Sequence, residues 1–453
     1  MAPRGDAVVQ GTIESYFHDL VGMLDGMIQS GEHYTANFSA EDSDFVRMNR
    51  GRVRQPGAVV QRYLALELIR GAKHASHQIA LTGSAAADQQ RLRDAMAGLR
   101  SALPDLDDDP HLLVATEGAS SRTLRDGALP AAEEIIDAVV GVTGDLDLVG
   151  LYAGGRIYRG FANASGQRNW HEATSFNLQW SIYHRADKAV KSALSGFEWD
   201  RAALSAKMAE AREQLANVAR PAKALAPGKY RVFLTPAAME EIAAMLCWGG
   251  FSARALETRQ GSLTRMLGDD GVRLHPSVTI AEATSDGVAP AFQAQGFTRP
   301  ARVSLIESGR LVGSLVSPPT AREFSLEPNG ANGSESPEAL AMSGGVLAAR
   351  DAMTALDTGL YVGNLHYLNY SDRPACRMTG MTRFATFWVE GGKVVAPVNV
   401  LRFDDTVYRM LGTNLESLTA ETELIMESGT YHERALASMR LPGALVSEIA
   451  FTL

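Results

Sequence analysis

PAKALAPGKYRVFLTPAAMEEIAAMLCWGG, residues 221–250, contains a break, a strand and a helix in close succession. Prolines 221 and 227 with Gly228 interrupt a polar helical stretch over 200–219, which marks a domain boundary. Tyr230–Leu234 reads as a fresh strand. Thr235 and Pro236 then form an N-cap and first-turn pair, because the hydroxyl satisfies a free backbone N–H and proline has none to lose. A helix over about 236–248 follows, with Met239, Ile242, Ala243 and Leu246 on one face and Glu240 and Glu241 on the other. Gly249-Gly250 ends it.

Toward the N-terminus, Val9, Ile13, Phe17, Val21, Leu24 and Ile28 recur at helical spacing, and Ser30-Gly31 closes that helix. Residues 33–82 change to short β-prone runs separated at Asp42-Ser43, Asn49-Arg50-Gly51 and Pro56-Gly57, an antiparallel meander. Helices are predicted over 85–103 and 130–141, with an exposed acidic loop at 102–111. In 175–183, Phe176, Leu178, Trp180 and Ile182 alternate with Ser175, Asn177, Gln179 and Ser181, predicting a strand with one solvated face. Toward the C-terminus, strands are predicted at 302–307, 358–368, 384–390, 394–401 and 443–452. The polar stretch 317–345 reads as a surface loop. The class is α+β: a helix-and-sheet domain over 1–222, then a β-rich, barrel-like domain over 223–453.

The composition, 45% hydrophobic and 21% charged over 453 residues, is that of a globular chain. A formal net charge of −9 argues against a dedicated nucleic-acid binder, although not against a local basic patch. No run of eighteen apolar residues suggests a membrane span, and the first twenty residues hold no secretory-type apolar core. Cys247 and Cys376 cannot make a disulfide framework. A cytoplasmic location is expected.

Local motifs for chemistry are weak. His171-Glu172 and His432-Glu433 lack a second histidine four or five residues on, so both read as ordinary histidines rather than zinc ligands. His74 and His77 would share a helical face but lack a third ligand. Cys376 with His366 has no activating context. No phosphate-binding loop, dinucleotide fingerprint or nucleophile elbow is present.

The stretch GLYVGNLHYLNYSDRPACRMTGMTRFATFWVEGGKVVAPVNVLRFDDTVYRMLG (359–412) resembles the TldD/PmbA family. The likeness lies in the GLYV strand, the MTGMTR turn, the FWVEGGK hairpin running into APV, and a helix start after FDD. The strand-then-helix at 227–246 resembles the same family. In catalytic members that helix carries His-Glu-x-x-x-His, and a cysteine near the C-terminus completes a zinc site. Here Glu241 keeps the glutamate, whereas Glu240 and Met245 stand where the histidines would be. Aligning LIMESGTYHERALASM (424–439) puts the missing cysteine near Ser428. A thioether is a poor substitute for imidazole on zinc. Ligands five residues apart would also need a distorted helix, since they lie roughly 140° apart on a regular one.

The resemblance therefore implies the PmbA (TldE) branch: no catalytic residue and no metal or other cofactor in this chain, with zinc in a TldD-like partner. It implies a heterodimer with that partner, or a homodimer, acting on unfolded or extended peptides without membrane or direct nucleic-acid contact. Exposed strand edges at 359–370 and 384–390 would hold the peptide backbone, with His366, Asn369, Asp372 and Arg373 as candidate contacts. The alternatives are a self-sufficient metallopeptidase with a rearranged metal site, using Glu240, Glu241 and a histidine from elsewhere, and a regulatory peptide-binding protein.

Overall fold

The computed structural model describes residues 12–185, 188–268 and 271–452, so Val9 of the first predicted helix lies outside the described residues. Thr12 caps α1 (Ile13–Asp25) by accepting a hydrogen bond from the Ser15 N–H. The chain then runs through β1 (His33–Asn49), β2 (Arg52–Arg70) and β3 (Lys73–Ala80). Next come α2 (Ala85–Ala102), β4 (Ser121–Arg125), α3 (Ala132–Thr143), β5 (Asp147–Asn163), β6 (Arg168–Arg185), β7 (Lys188–Gly196) and α4 (Arg201–Val218). The meander is real, but only the turn at residue 50 survives from the expected breaks. Asp42-Ser43 and Pro56-Gly57 instead lie within two long paired strands, Ser43 facing Val59 and Phe45 facing Gly57.

These strands form one sheet in the order β3-β2-β1-β5-β6-β4, with β7 also on β6. Its apolar face is covered at one end by α1 and α2, where Phe17, Leu20, Phe38, Leu66, Leu92 and Trp170 pack together. At the other end α3 and α4 cover Leu148, Tyr152, Phe176, Leu178 and Trp180.

The second half contains β8 (Gly228–Leu234), α5 (Pro236–Cys247), α6 (Ala253–Glu257), β9 (Ile280–Glu282), β10 (Val303–Glu307), β11 (Arg310–Leu311), α7 (Pro318–Phe324), β12 (Ala339–Met342) and α8 (Ala352–Leu356). It ends with β13 (Gly359–Asp372), β14 (Arg377–Glu390), β15 (Lys393–Pro397), β16 (Arg402–Thr406), β17 (Leu415–Met426) and β18 (Ser438–Phe451). β8 pairs with both β13 and β18, and β13-β14-β16-β18 complete a closed circuit. The fold is α+β, and this ring is the barrel-like element. Its core joins Val232, Leu360, Val362, Met378 and Phe403 to the apolar face of α5.

Two expectations are corrected here. The 317–345 stretch is not a surface loop: it folds into α7 and then β12, which lies buried between β9 and β18. Its polarity is absorbed locally. Glu335 is buried and accepts from Ser252 Oγ at 2.6 Å, the Arg254 N–H and the Ser317 N–H and hydroxyl. The helix start expected after FDD is present as one short stretch following β16, π-helical over Arg409–Thr413.

The polar face of β6 is not solvated throughout either. Arg434 donates to the Ser175 carbonyl at 2.8 Å and to the Gly155 carbonyl at 3.1 Å, and Asn177 donates to the Met426 carbonyl at 2.5 Å. Polar side chains of the first sheet therefore meet polar groups of the second half, because a buried donor must find an acceptor.

Candidate functional site

α5 is built as its sequence specifies. Thr235 Oγ1 accepts from the Ala238 N–H and donates to the Gly363 carbonyl at 2.7 Å, which ties the helix start to β13. The far end is held by β13 as well: Tyr370 Oη donates to the Met245 carbonyl at 2.6 Å, and Arg373 donates to the Trp248 carbonyl at 2.7 Å while stacking over its indole. Between these anchors the helix is regular. Met245 is buried with Met239, Ile242 and Leu246 in the ring core. Glu240 and Glu241 face the opposite way.

They line a cavity of about 570 Å³ where the two sheets meet. Lys191 comes from β7, Lys207, Glu210 and Gln214 from α4, Tyr361 from β13 and Glu423 from β17. Burial pushes the Glu240 carboxyl up to about 7; Lys191 opposes this, and Glu241, Glu423 and Glu427 add to it. Burial also raises Glu241 and Glu210. Lys207 is ion-paired to Glu423, and Gln214 donates to Tyr361 Oη at 3.3 Å. Among the described residues β7 pairs with β6 alone, and Val190–Ala193 of this strand border the cavity. The arrangement offers a strand edge beside carboxylates, one of which titrates near neutrality.

A family model described as the PmbA/TldA metallopeptidase C-terminal domain matches residues 227–453. The chain belongs to the TldD/PmbA family. No curated protein sequence matches it. Among solved structures it is similar to TldE from Thermococcus kodakarensis, with TM-score 0.77 at 13% identity over 97% of this chain and 100% of that one. It is similar to a candidate modulator of a DNA gyrase from Thermotoga maritima, with TM-score 0.75 at 14% identity over 97% and 100% of the two chains. A Bacteroides thetaiotaomicron protein named in the same way gives 0.72 at 14% identity over 97% and 98%. These likenesses are of fold.

The TldD/PmbA motif positions can now be placed. Glu240 faces the cavity and Met245 the core, on different sides of an undistorted helix. Ser428 is half-buried just beyond β17, and its neighbour Glu427 is close enough to raise the Glu240 pKa. A carboxylate, a thioether turned into the core and a hydroxyl do not fit a tetrahedral zinc ion, which takes imidazole, thiolate or carboxylate donors. Among the described residues no three His, Cys, Asp or Glu side chains converge to hold a metal ion.

The candidate peptide contacts do not form one group. His366 is exposed on β13 and within electrostatic reach of Glu241. Asn369 accepts from the Tyr370 N–H and Asp372 from the Ala375 N–H, both supporting the β13–β14 turn, whereas Arg373 secures the end of α5. Residues 384–390 are not a free edge, because β13 and β15 flank them. On β13, the β8 pairing stops at Val362, which leaves one side of the later residues without a strand.

Other histidine and cysteine motifs have structural roles. His171 is buried against the Val288 carbonyl at 2.9 Å, and burial lowers its pKa to about 4. His74 and His77 lie on β3, not on a helix; His74 contacts Glu67 at 2.7 Å and Asp109 at 3.2 Å. Glu433 pairs with Arg159 at 3.0 Å. Burial pushes the Cys376 thiol up to about 12, so it stays protonated at neutral pH. Lys191, Glu210, Tyr361 and Glu423 were not among the sequence candidates. They come from four separate elements, and no local pattern links them.

Proposed function

We propose that this chain is the non-catalytic, TldE-like subunit of a two-chain cytoplasmic peptidase. A zinc-bearing TldD-like partner supplies the chemistry, and the substrate is an unfolded or extended peptide. The observation that carries the reading is the division of the motif on α5, with Glu240 in the cavity and Met245 in the core. The resemblance to a TldE structure supports the branch. The open edge of β7 along the cavity supports an extended ligand, since unpaired backbone groups accept a strand without reading its sequence.

A second reading, a self-sufficient hydrolase, draws on Glu240 titrating near neutrality and on His366 lying near Glu241. Elemental analysis of the purified chain after incubation with zinc and desalting separates the two. The proposal expects zinc far below one ion per chain, and stoichiometric retention would favour the second reading.

A further inference from the structure

Beside the Glu240 cavity, the outer face of the first sheet carries a second depression of about 360 Å³. Arg47, Arg54 and Lys191 border it, Val149 and Leu151 contribute to its lining, and Gln179 adds an amide. No acidic residue lines it. Neither arginine makes an ion pair among the described residues, nor does Lys191. Such a group of cations is unexpected in a chain of net charge −9. Lys191 also faces Glu240 and Glu241 of the adjoining cavity, whereas neither arginine has an ion-pair partner among the described residues. Like charges gathered in this way repel one another, and a bound anion relieves that repulsion. Ordinary solvated surface arginines would not need to border the same depression.

Lys191 lines both spaces, so the acidic cavity and the basic depression adjoin at one side chain. From β7 across β6 and β5 to β1 is three strand spacings, about 14 Å, or roughly four residues of extended chain. We infer that the depression is a carboxylate subsite for a peptide leaving the Glu240 cavity across this face. Arg47 and Arg54 bind the charge through their guanidinium forks and Lys191 through its ammonium. The inference rests on the peptide-binding reading above and adds a charge requirement to it. The carboxylate is either the peptide's C-terminus or an acidic side chain.

The test measures binding to the full chain of a labelled Ala-Gly-Ser peptide in three forms: free C-terminal acid, C-terminal amide, and amide with one internal Glu. At least one acidic form should bind about tenfold or more tightly than the plain amide. R47Q/R54Q should abolish that advantage while leaving amide binding unchanged; both side chains are exposed, so the fold tolerates the change. The acidic form that binds better identifies the carboxylate's source. Equal binding of all three peptides, or an advantage that R47Q/R54Q leaves intact, overturns the subsite and leaves peptide binding standing. No binding of any peptide overturns both. Tighter binding of a single-stranded oligonucleotide than of either acidic peptide, lost in R47Q/R54Q, overturns the carboxylate assignment alone.

Discussion

Glu240 shows most directly how position changes chemistry. Its sequence context identified an altered motif and a polar helix face, but not burial, because the groups that enclose it come from β7, α4 and β17. The folded chain holds its proton up to about pH 7, whereas the ordinary value is 4.5. Between those values the unfolded state has ionised and the folded state has not. This group's contribution is therefore unpenalised below about pH 4.5, and stability is lost as pH rises toward 7. Glu240→Gln removes the penalty. Relative to wild type, the variant is expected to gain about 2–3 kcal/mol between about pH 4 and about pH 8 in chemical denaturation. A difference that does not change with pH would contradict the burial argument. Met245, by contrast, was readable in advance: it continues the apolar face of Met239, Ile242 and Leu246, and it packs there.

Elements whose signals are local were the legible ones. α5 begins at its threonine cap and ends before paired glycines, and β8 follows the proline-rich break. β12 was missed because Ala339–Met342 is too short to show a period, and the polar residues before it are satisfied by distant partners. Glu282, for example, accepts from the Glu338 and Ala339 N–H groups. The β13 segment also fastens α5 at both ends. Tyr370→Phe deletes only the hydroxyl that bonds the Met245 carbonyl. It is expected to cost about 1 kcal/mol in global stability and to leave peptide affinity unchanged, measured by denaturation and by titration with a labelled peptide. A loss of affinity without loss of stability would return this edge to the binding surface.

For the molecule as a whole, alternation in β6 revealed two faces of different polarity but not what each would meet. Half of the polar face is covered by the second half of the chain through Arg434, Asn177 and His171, and the other half remains open toward Arg47 and Lys191. That division leaves a cavity between the sheets bordered by the β7 edge, with Glu240 in the cavity and Met245 turned away into the core. Activity should therefore appear only in an assembly. The most direct measurement is cleavage of an unfolded protein such as casein by this chain alone, by a zinc-loaded TldD-like partner alone, and by the two mixed. The account expects no cleavage by this chain and cleavage by the mixture well above that of the partner alone; zinc-dependent cleavage by this chain alone would contradict it.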